Sequence, residues 1–453
     1  MITTSLSQLA DIVEGELQGS DCQIESVSTD TRTIGAGALF IALVGERFDA
    51  HDFCHDAEKN GATALLVERP LDVALPQLIV NDTRIALGLM AAWVHQQSNS
   101  KTLAITGSCG KTTVKEMVSS ILANKGKVLF TAGNFNNDIG VPLTLLRSEV
   151  DDDYAVIELG ANHIGEIAYT THLVKPSVAL VNNVAAAHLE GFGSLDGVKV
   201  AKGEIYQGLQ AGDSAIVNLD SHGEEAWNEV LADKKLISFS IENDQADIYA
   251  SDISLDQQGN ATFNMHTPIG VQNISLAVVG RHNVANALAA AALAIQCDCS
   301  LDDIGKGLAK VENVKGRVEV KQLTDSLRLI DDSYNASMPA MKAAIDLLST
   351  YSGTRWLILG YMAELGSETL ALHQQLGDYA APFKFEYVLT YGDDSKIISE
   401  VCGGLHFETH AELIRYIEQQ LQQSSVQNHT VLVKGANSAR MSLVAEALKE
   451  KHK

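Results

Sequence analysis

At 453 residues the chain is longer than one hydrophobic core usually serves, so two or three domains are expected. Its 46% hydrophobic and 20% charged residues are those of a globular protein and exclude a disordered chain. A formal net charge of -24 argues against a nucleic-acid partner, because phosphate backbones are bound by Lys and Arg in excess; a small anionic substrate would need locally placed cations.

The six cysteines, Cys22, Cys54, Cys109, Cys297, Cys299 and Cys402, form no CxxC pair and no metal-ligand spacing, so reduced thiols in a cytoplasm are expected. "MITTSLSQLADIVEG" has no basic region followed by an apolar stretch, so no signal peptide is expected. The most apolar run, "NALAAAALAI", is too short to span a bilayer.

In chain order, the first eighty or so residues alternate the apolar runs "ALFIALVG", "TALLVE" and "QLIV" with polar turns and a helix near His51 to Asn60, which reads as a small mixed domain over residues 1–82. From Thr83, "TRIALGLMAAWVHQQ" has helical spacing. Strand-then-helix units follow: "TLAI" with its helix, "YAVIEL" with "GEIAYTTHLV", "SVALVNNV" with "LDGVKVAKGEIYQGL", and "SAIVNL" with another helix. Such alternation predicts a mainly parallel sheet covered by helices. Between Asp247 and Val279 the period becomes two, predicting appended antiparallel strands with Gly259-Asn260 as a turn. An Ala-rich helix from Asn283 to Gln296 and a second helix from Asp302 close this central block, residues 83–312. Beyond it "LRLIDD", "RWLILG", "FEYVLTYG" and "TVLVKG", each followed by a helical pattern, predict a third, Rossmann-like α/β domain over residues 313–453.

"ITGSCGKTTVKE", Ile105 to Glu116, misses the phosphate-loop pattern GxxxxGK[ST], since Ile105 stands where the first glycine belongs. Its surroundings still have the physics of such a loop. A strand leads into a tight turn, Lys111 opens a helix with Val114, Met117, Val118, Ile121 and Leu122 on one stripe, and Gly126 ends it. Gly107 and Gly110 let the N–H groups of Gly107, Ser108, Cys109, Gly110, Lys111, Thr112 and Thr113 turn toward an anion at a helix N-terminus. Lys111 would reach the β- and γ-phosphates, and the Thr112 hydroxyl would bind Mg2+. The competing reading is a Gly-rich turn with a solvated lysine.

"TGSCGKTT" resembles the phosphate loop of the Mur ligases and of folylpolyglutamate synthases, in which the first glycine is also absent. The resemblance to the Mur ligases runs the length of the chain. Glu158, at a strand end where ligands of parallel sheets gather, suits Mg2+ by its oxygen chemistry; "ELGANHIGEI" resembles the family segment that supplies a metal carboxylate. His188 in "NNVAAAHLEGFGS" is by itself an ordinary loop histidine, and the resemblance alone implies a second metal site there. Lys202 falls on the apolar stripe of Leu195, Val198, Ile205 and Leu209, where a lysine must be paired, neutralised or modified unless its stem reaches solvent. In the family the matching lysine is carbamylated.

"GRHNVANALAAAALA" resembles the family's GxHNxxN helix start, which implies Asn283 near the nucleotide base. "KGRVE" and "LIDDSYNAS" imply Arg317 on ATP phosphates and Asp332 facing the nucleotide across a cleft. "STDTRTIGAGALFIALVGERFDAHDF" resembles a uridine-nucleotide recognition segment, with Asp30, Thr31 and Arg32 near the uracil or diphosphate; "GNFNNDIGVP" implies substrate contacts from Asn136 and Asn137. "DDSYNA" is the form found in the branch that adds D-alanyl-D-alanine.

Four departures stand out: Tyr361 where Asp is expected, Ala436 and Asn437 where "KGSRS" is expected, Met338 for a common proline, and Ala50 for a common glycine. Arg440, three positions beyond the place of the usual arginine, is a candidate substitute for it. The resemblance implies a monomeric cytoplasmic ligase that uses ATP and Mg2+ to join UDP-MurNAc-tripeptide and D-Ala-D-Ala through an acyl phosphate. A sister ligase, or a nucleotide-binding switch that makes no bond, is the alternative.

Overall fold

The computed structural model of the chain describes residues 1–45, 48–221, 223–311, 315–424 and 428–452. Three sheet-based units follow one another, and the expected boundary at 312/313 lies outside the described residues.

The N-terminal unit is a five-stranded sheet. Ala38–Ile41, Ala64–Val67 and Gln77–Ile79 are the expected apolar runs, and Ser26–Ser28 and Glu16–Gln18 complete its edges. The expected helix begins as a 3-10 turn, Ala50–Phe53, and continues as Cys54–Lys59.

The central unit is one nine-stranded sheet. Lys101–Thr106 lies between Tyr154–Glu158 and Val178–Val181, and all three run parallel, so their carboxyl ends open on one side. Ser214–Asn218, Lys235–Ser240 and Ile248–Leu255 extend it in parallel; Asn260–Thr267 and Gly270–Val279 then add the antiparallel edge that the period-two pattern predicts. The Ala-rich helix His282–Ile295 is buried nearly throughout and packs beside the helix Lys111–Leu122, since alanine side chains let two backbones approach closely. The latter helix ends at Leu122, one turn before Gly126.

The C-terminal unit is a six-stranded sheet in which Leu327–Asp332, His429–Lys434, Thr354–Gly360 and Tyr387–Tyr391 are neighbours and parallel. Glu319–Thr324 joins one edge antiparallel and Leu405–Phe407 the other in parallel. Among the described residues no helix is long and apolar enough to cross a membrane.

Candidate active site

The glycine mismatch has a local cause. Ile105 is the fifth residue of the strand Lys101–Thr106 and is fully buried, so the loop begins only at Gly107 and is four residues long. Gly107 (φ 152) and Gly110 (φ 77) hold backbone conformations that side chains disfavour. A Cβ on Gly110 would stand 2.5 Å from Asn286 Oδ1 and 2.7 Å from Asn182 Nδ2. The loop is clamped from the next strand: Ser108 N–H donates to Asn183 O (3.0 Å), and Cys109 N–H to Asn183 Oδ1 (2.8 Å). The carbonyl of Cys109 accepts from Nδ2 of both Asn182 and Asn183, each at 3.0 Å. Gly110 gives the helix no side-chain cap, so its first-turn N–H groups are free to meet an anion. Lys111 Nζ donates back to Gly107 O at 2.8 Å, and burial pushes its pKa down against the pull of Glu158.

Glu158 closes its strand beside the loop and is 1% exposed. Thr112 Oγ1 donates to Glu158 Oε2 and Asn136 Nδ2 to Oε1, both at 2.9 Å. Among the described residues this buried carboxylate has hydrogen bonds but no ion pair. The Thr112 hydroxyl and the buried Glu158 carboxylate are side-by-side oxygen ligands, the kind a hard divalent cation takes. Asn136 thus stands on Glu158, whereas Asn137 accepts from Gly140 N–H (2.8 Å) and does not line the cleft.

His188 starts the short helix Leu189–Phe192 with φ 54, and its Nδ1 meets the carboxylate of Glu364 from the C-terminal unit. Burial pushes its pKa down against the pull of Glu364. Lys202 is 1% exposed. Its Nζ lies 5.3 Å from the Phe192 ring centroid and has no hydrogen-bond partner among the described residues. Burial, reinforced by the charge of Lys111, lowers its pKa to about 7. Val198, Ile205 and Leu209 share its buried face as expected, but Leu195, at the first turn of Leu195–Gly203, is 45% exposed.

The opposite wall belongs to the C-terminal unit. The Arg317 guanidinium stacks 4.2 Å from the Tyr334 ring centroid. Asp332 Oδ2 pairs with Lys434 Nζ at 2.6 Å; burial pushes the Asp332 carboxyl up against the pull of that lysine. Cys109 Sγ and Ser337 Oγ touch across the gap at 2.9 Å. Between the walls is a cleft of about 990 Å³ lined by Ser108 to Thr113, Glu158, His188, Arg317, Asp332 and Lys434. Asn283 stands one layer back, its Nδ2 on Val279 O (2.8 Å) and its Oδ1 on Asn286; His282 and Asn286 line the cleft instead. Asp30, Thr31 and Arg32 lie away from the cleft, where Arg32 pairs with Asp30 at 2.6 Å and holds its carboxyl near pKa 2. In the same segment, residues 46 and 47 are outside the described residues.

Family models match three consecutive stretches: the Mur ligase family catalytic domain over residues 23–105, the Mur ligase middle domain over 105–294, and the Mur ligase glutamate ligase domain over 316–437. The chain belongs to the Mur ligase family. Among curated Mur ligases, the UDP-N-acetylmuramoyl-tripeptide-D-alanyl-D-alanine ligase of Escherichia coli (strain K12) is 50% identical over 451 residues, 99% of both chains. That of Bacillus subtilis (strain 168) is 33% identical over 469 residues, again 99% of both. A crystal structure of MurF from Acinetobacter baumannii superposes with a TM-score of 0.93 at 37% identity, covering 98% of each chain.

The departures from the Mur ligase pattern differ in their distance from the cleft, which Ala436 lines. Tyr361 is half-buried at a strand end, its carbonyl accepting from Ala436 N–H at 2.9 Å, and does not line the cleft. Asn437 does line it and donates to Tyr334 O at 3.4 Å; Arg440 does not. Sequence reasoning missed Asn182, Asn183, Asn286, Glu364 and Lys434. Lys434 had a usable signal, a lysine ending an apolar strand just before a glycine, and Asn286 stands at the last position of the GxHNxxN pattern; the others become site residues only when distant segments converge.

Proposed function

We propose that this chain catalyses ATP-dependent amide-bond formation between UDP-MurNAc-tripeptide and D-alanyl-D-alanine, giving UDP-MurNAc-pentapeptide. The observation that supports it is the meeting, in one cleft, of the uncapped helix start with Lys111, the Thr112–Glu158 pair, and Arg317, Asp332 and Lys434 from the other side. The relatives' names supply the substrates. A carboxylate is a poor electrophile, so its oxygen first takes the γ-phosphoryl of ATP and ADP leaves. The amine of D-Ala-D-Ala then attacks the acyl carbon, loses a proton and displaces inorganic phosphate.

The chain's part is positioning and charge neutralisation. First-turn N–H groups and Lys111 hold the nucleotide's phosphates, and Arg317 faces them from the C-terminal unit. Glu158 and Thr112 would hold Mg2+, which when bound neutralises phosphate charge. His188 is the proposed contributor to a second cation site. Lys202, with an amine neutral above about pH 7, has the chemistry carbamylation requires. Asn136 holds Glu158; Asn283 supports Asn286, which faces the nucleotide side.

Residues 1–82, with Asp30, Thr31 and Arg32, would bind the uridine nucleotide, residues 83–312 ATP, and residues 313–453 would close the cleft. A cytoplasmic monomer is the proposed working form. Incubation with ATP, Mg2+ and both substrates should yield the pentapeptide nucleotide by mass spectrometry. If a different amino acceptor is joined in its place, the sister-ligase reading takes over.

A further inference from the structure

Two non-glycine residues in left-handed backbone conformation meet at the cleft from different units: His188 with φ 54 and Glu364 with φ 60. L-residues seldom adopt this conformation singly, and a pair in contact across an interface points to a contact that the surrounding fold maintains. Their side chains bond to each other, Nδ1 of His188 to the carboxylate of Glu364. Beside them Glu190 N–H donates to the Glu364 carbonyl at 3.0 Å. Both residues line the cleft, and neither contact is needed to build its own unit's core.

The proton's place follows from the chemistry. An ionised carboxylate only accepts, so His188 Nδ1 is the donor, and in the neutral ring Nε2 has the lone pair. A histidine fixed in this way is the usual form of a metal-binding or proton-accepting imidazole, since the partner of one nitrogen sets the tautomer and aim of the other. His188 also meets Phe192 edge to face with ring centroids 6.3 Å apart, and Phe192 lies under the Lys202 ammonium. The partner that orients the ring comes from the C-terminal unit, through a loop at the end of the strand Thr354–Gly360. We infer that Glu364 is a positioning residue for His188, and that its bond to the ring makes the site's imidazole correctly oriented only while the C-terminal unit is docked.

This inference rests on the reading of the cleft as the ligase active site, and its test is chosen to separate the two. The ring is read directly by histidine-selective 15N NMR of the full chain with an ATP analogue and UDP-MurNAc-tripeptide present, so that the C-terminal unit is docked, alongside steady-state kinetics of Glu364→Ala and Glu364→Gln. In the unsubstituted protein His188 should show the Nδ1–H tautomer. Glu364→Ala should move it to a mixed population and lower kcat about ten- to hundredfold, with KM for ATP within about threefold. Glu364→Gln, whose amide oxygen still accepts, should keep the tautomer and most of kcat. A Glu364→Ala protein with an unchanged tautomer or unchanged kcat would overturn the inference, as would a Gln variant as impaired as Ala. A protein that makes no pentapeptide before any substitution would instead remove the ligase reading, and the NMR result would still decide whether Glu364 orients the ring.

Discussion

Lys202 does not behave as an ordinary lysine. Its amine has a folded-state pKa of about 7 against the ordinary 10.5, because burial disfavours the charged form and Lys111 adds like-charge repulsion. Between those two values the unfolded chain holds a proton that the folded chain does not, so stability rises with pH through that window and the penalty is complete below about pH 7. Lys202→Met should therefore be more stable than the unsubstituted protein near neutrality in carbonate-free buffer. The gain should shrink as pH approaches 10, measured as urea midpoints along a pH series; parallel curves would contradict the shift. Thr112→Val tests the neighbouring pair. It leaves Glu158 Oε2 buried without its donor, which costs about 1–3 kcal/mol. A lowered melting temperature together with a raised Mg2+ requirement is expected, and an unchanged Mg2+ titration would separate Thr112 from the metal.

At the scale of elements, what could be read from the sequence and what could not divide along a physical line. The helix Thr83–Gln96, the parallel strands and the antiparallel edge all announce themselves by period, because each buries a face at its own repeat. Short edge strands such as Val128–Phe130, Glu319–Thr324 and Leu405–Phe407 do not, since three to six half-exposed residues contain too little pattern. The phosphate loop was legible through its context, strand, glycines and helix, although its spacing fails the usual template. The asparagine clamp behind it was not: Asn182, Asn183 and Asn286 act through contacts spanning more than seventy residues of chain. Likewise Leu195 fits the helical stripe by spacing yet sits at the first turn, beyond the core's reach. The clamp gives the loop its shape, and Gly110 is where that shape tolerates least. Gly110→Ala combines a left-handed φ of 77° with a Cβ 2.5 Å from Asn286 Oδ1. It should weaken ADP binding at least tenfold by calorimetry and destabilise the chain by about 1–3 kcal/mol; normal ADP affinity would mean that the loop can reshape without cost.

Across the whole molecule the two joints differ. The N-terminal and central sheets share one continuous apolar core that includes Leu6, Leu9, Leu87, Met90, Ile157 and Ile167, so these units are bound tightly together. The C-terminal sheet has cores of its own, one of which takes in Val279 from the central unit, and the two units also meet through polar contacts, Cys109 to Ser337 and His188 to Glu364 at the cleft and Tyr351 OH to Gln258 O (2.7 Å) away from it. Such a joint opens more readily than an apolar one. Small-angle scattering should thus show a more extended ensemble for the free protein, compacting toward the arrangement described here when ATP analogue and UDP-MurNAc-tripeptide are both present. A profile unchanged by both ligands would rule out closure. Closure would also exclude the water that hydrolyses an acyl phosphate.

The measurement that bears most directly on the central claim is phosphate release from ATP and Mg2+ with UDP-MurNAc-tripeptide, with and without D-Ala-D-Ala, beside Lys111→Ala. The ligase reading expects sustained release only with both substrates, and a loss of about 10²-fold or more in the variant. Release indifferent to D-Ala-D-Ala, or undiminished in Lys111→Ala, would contradict it.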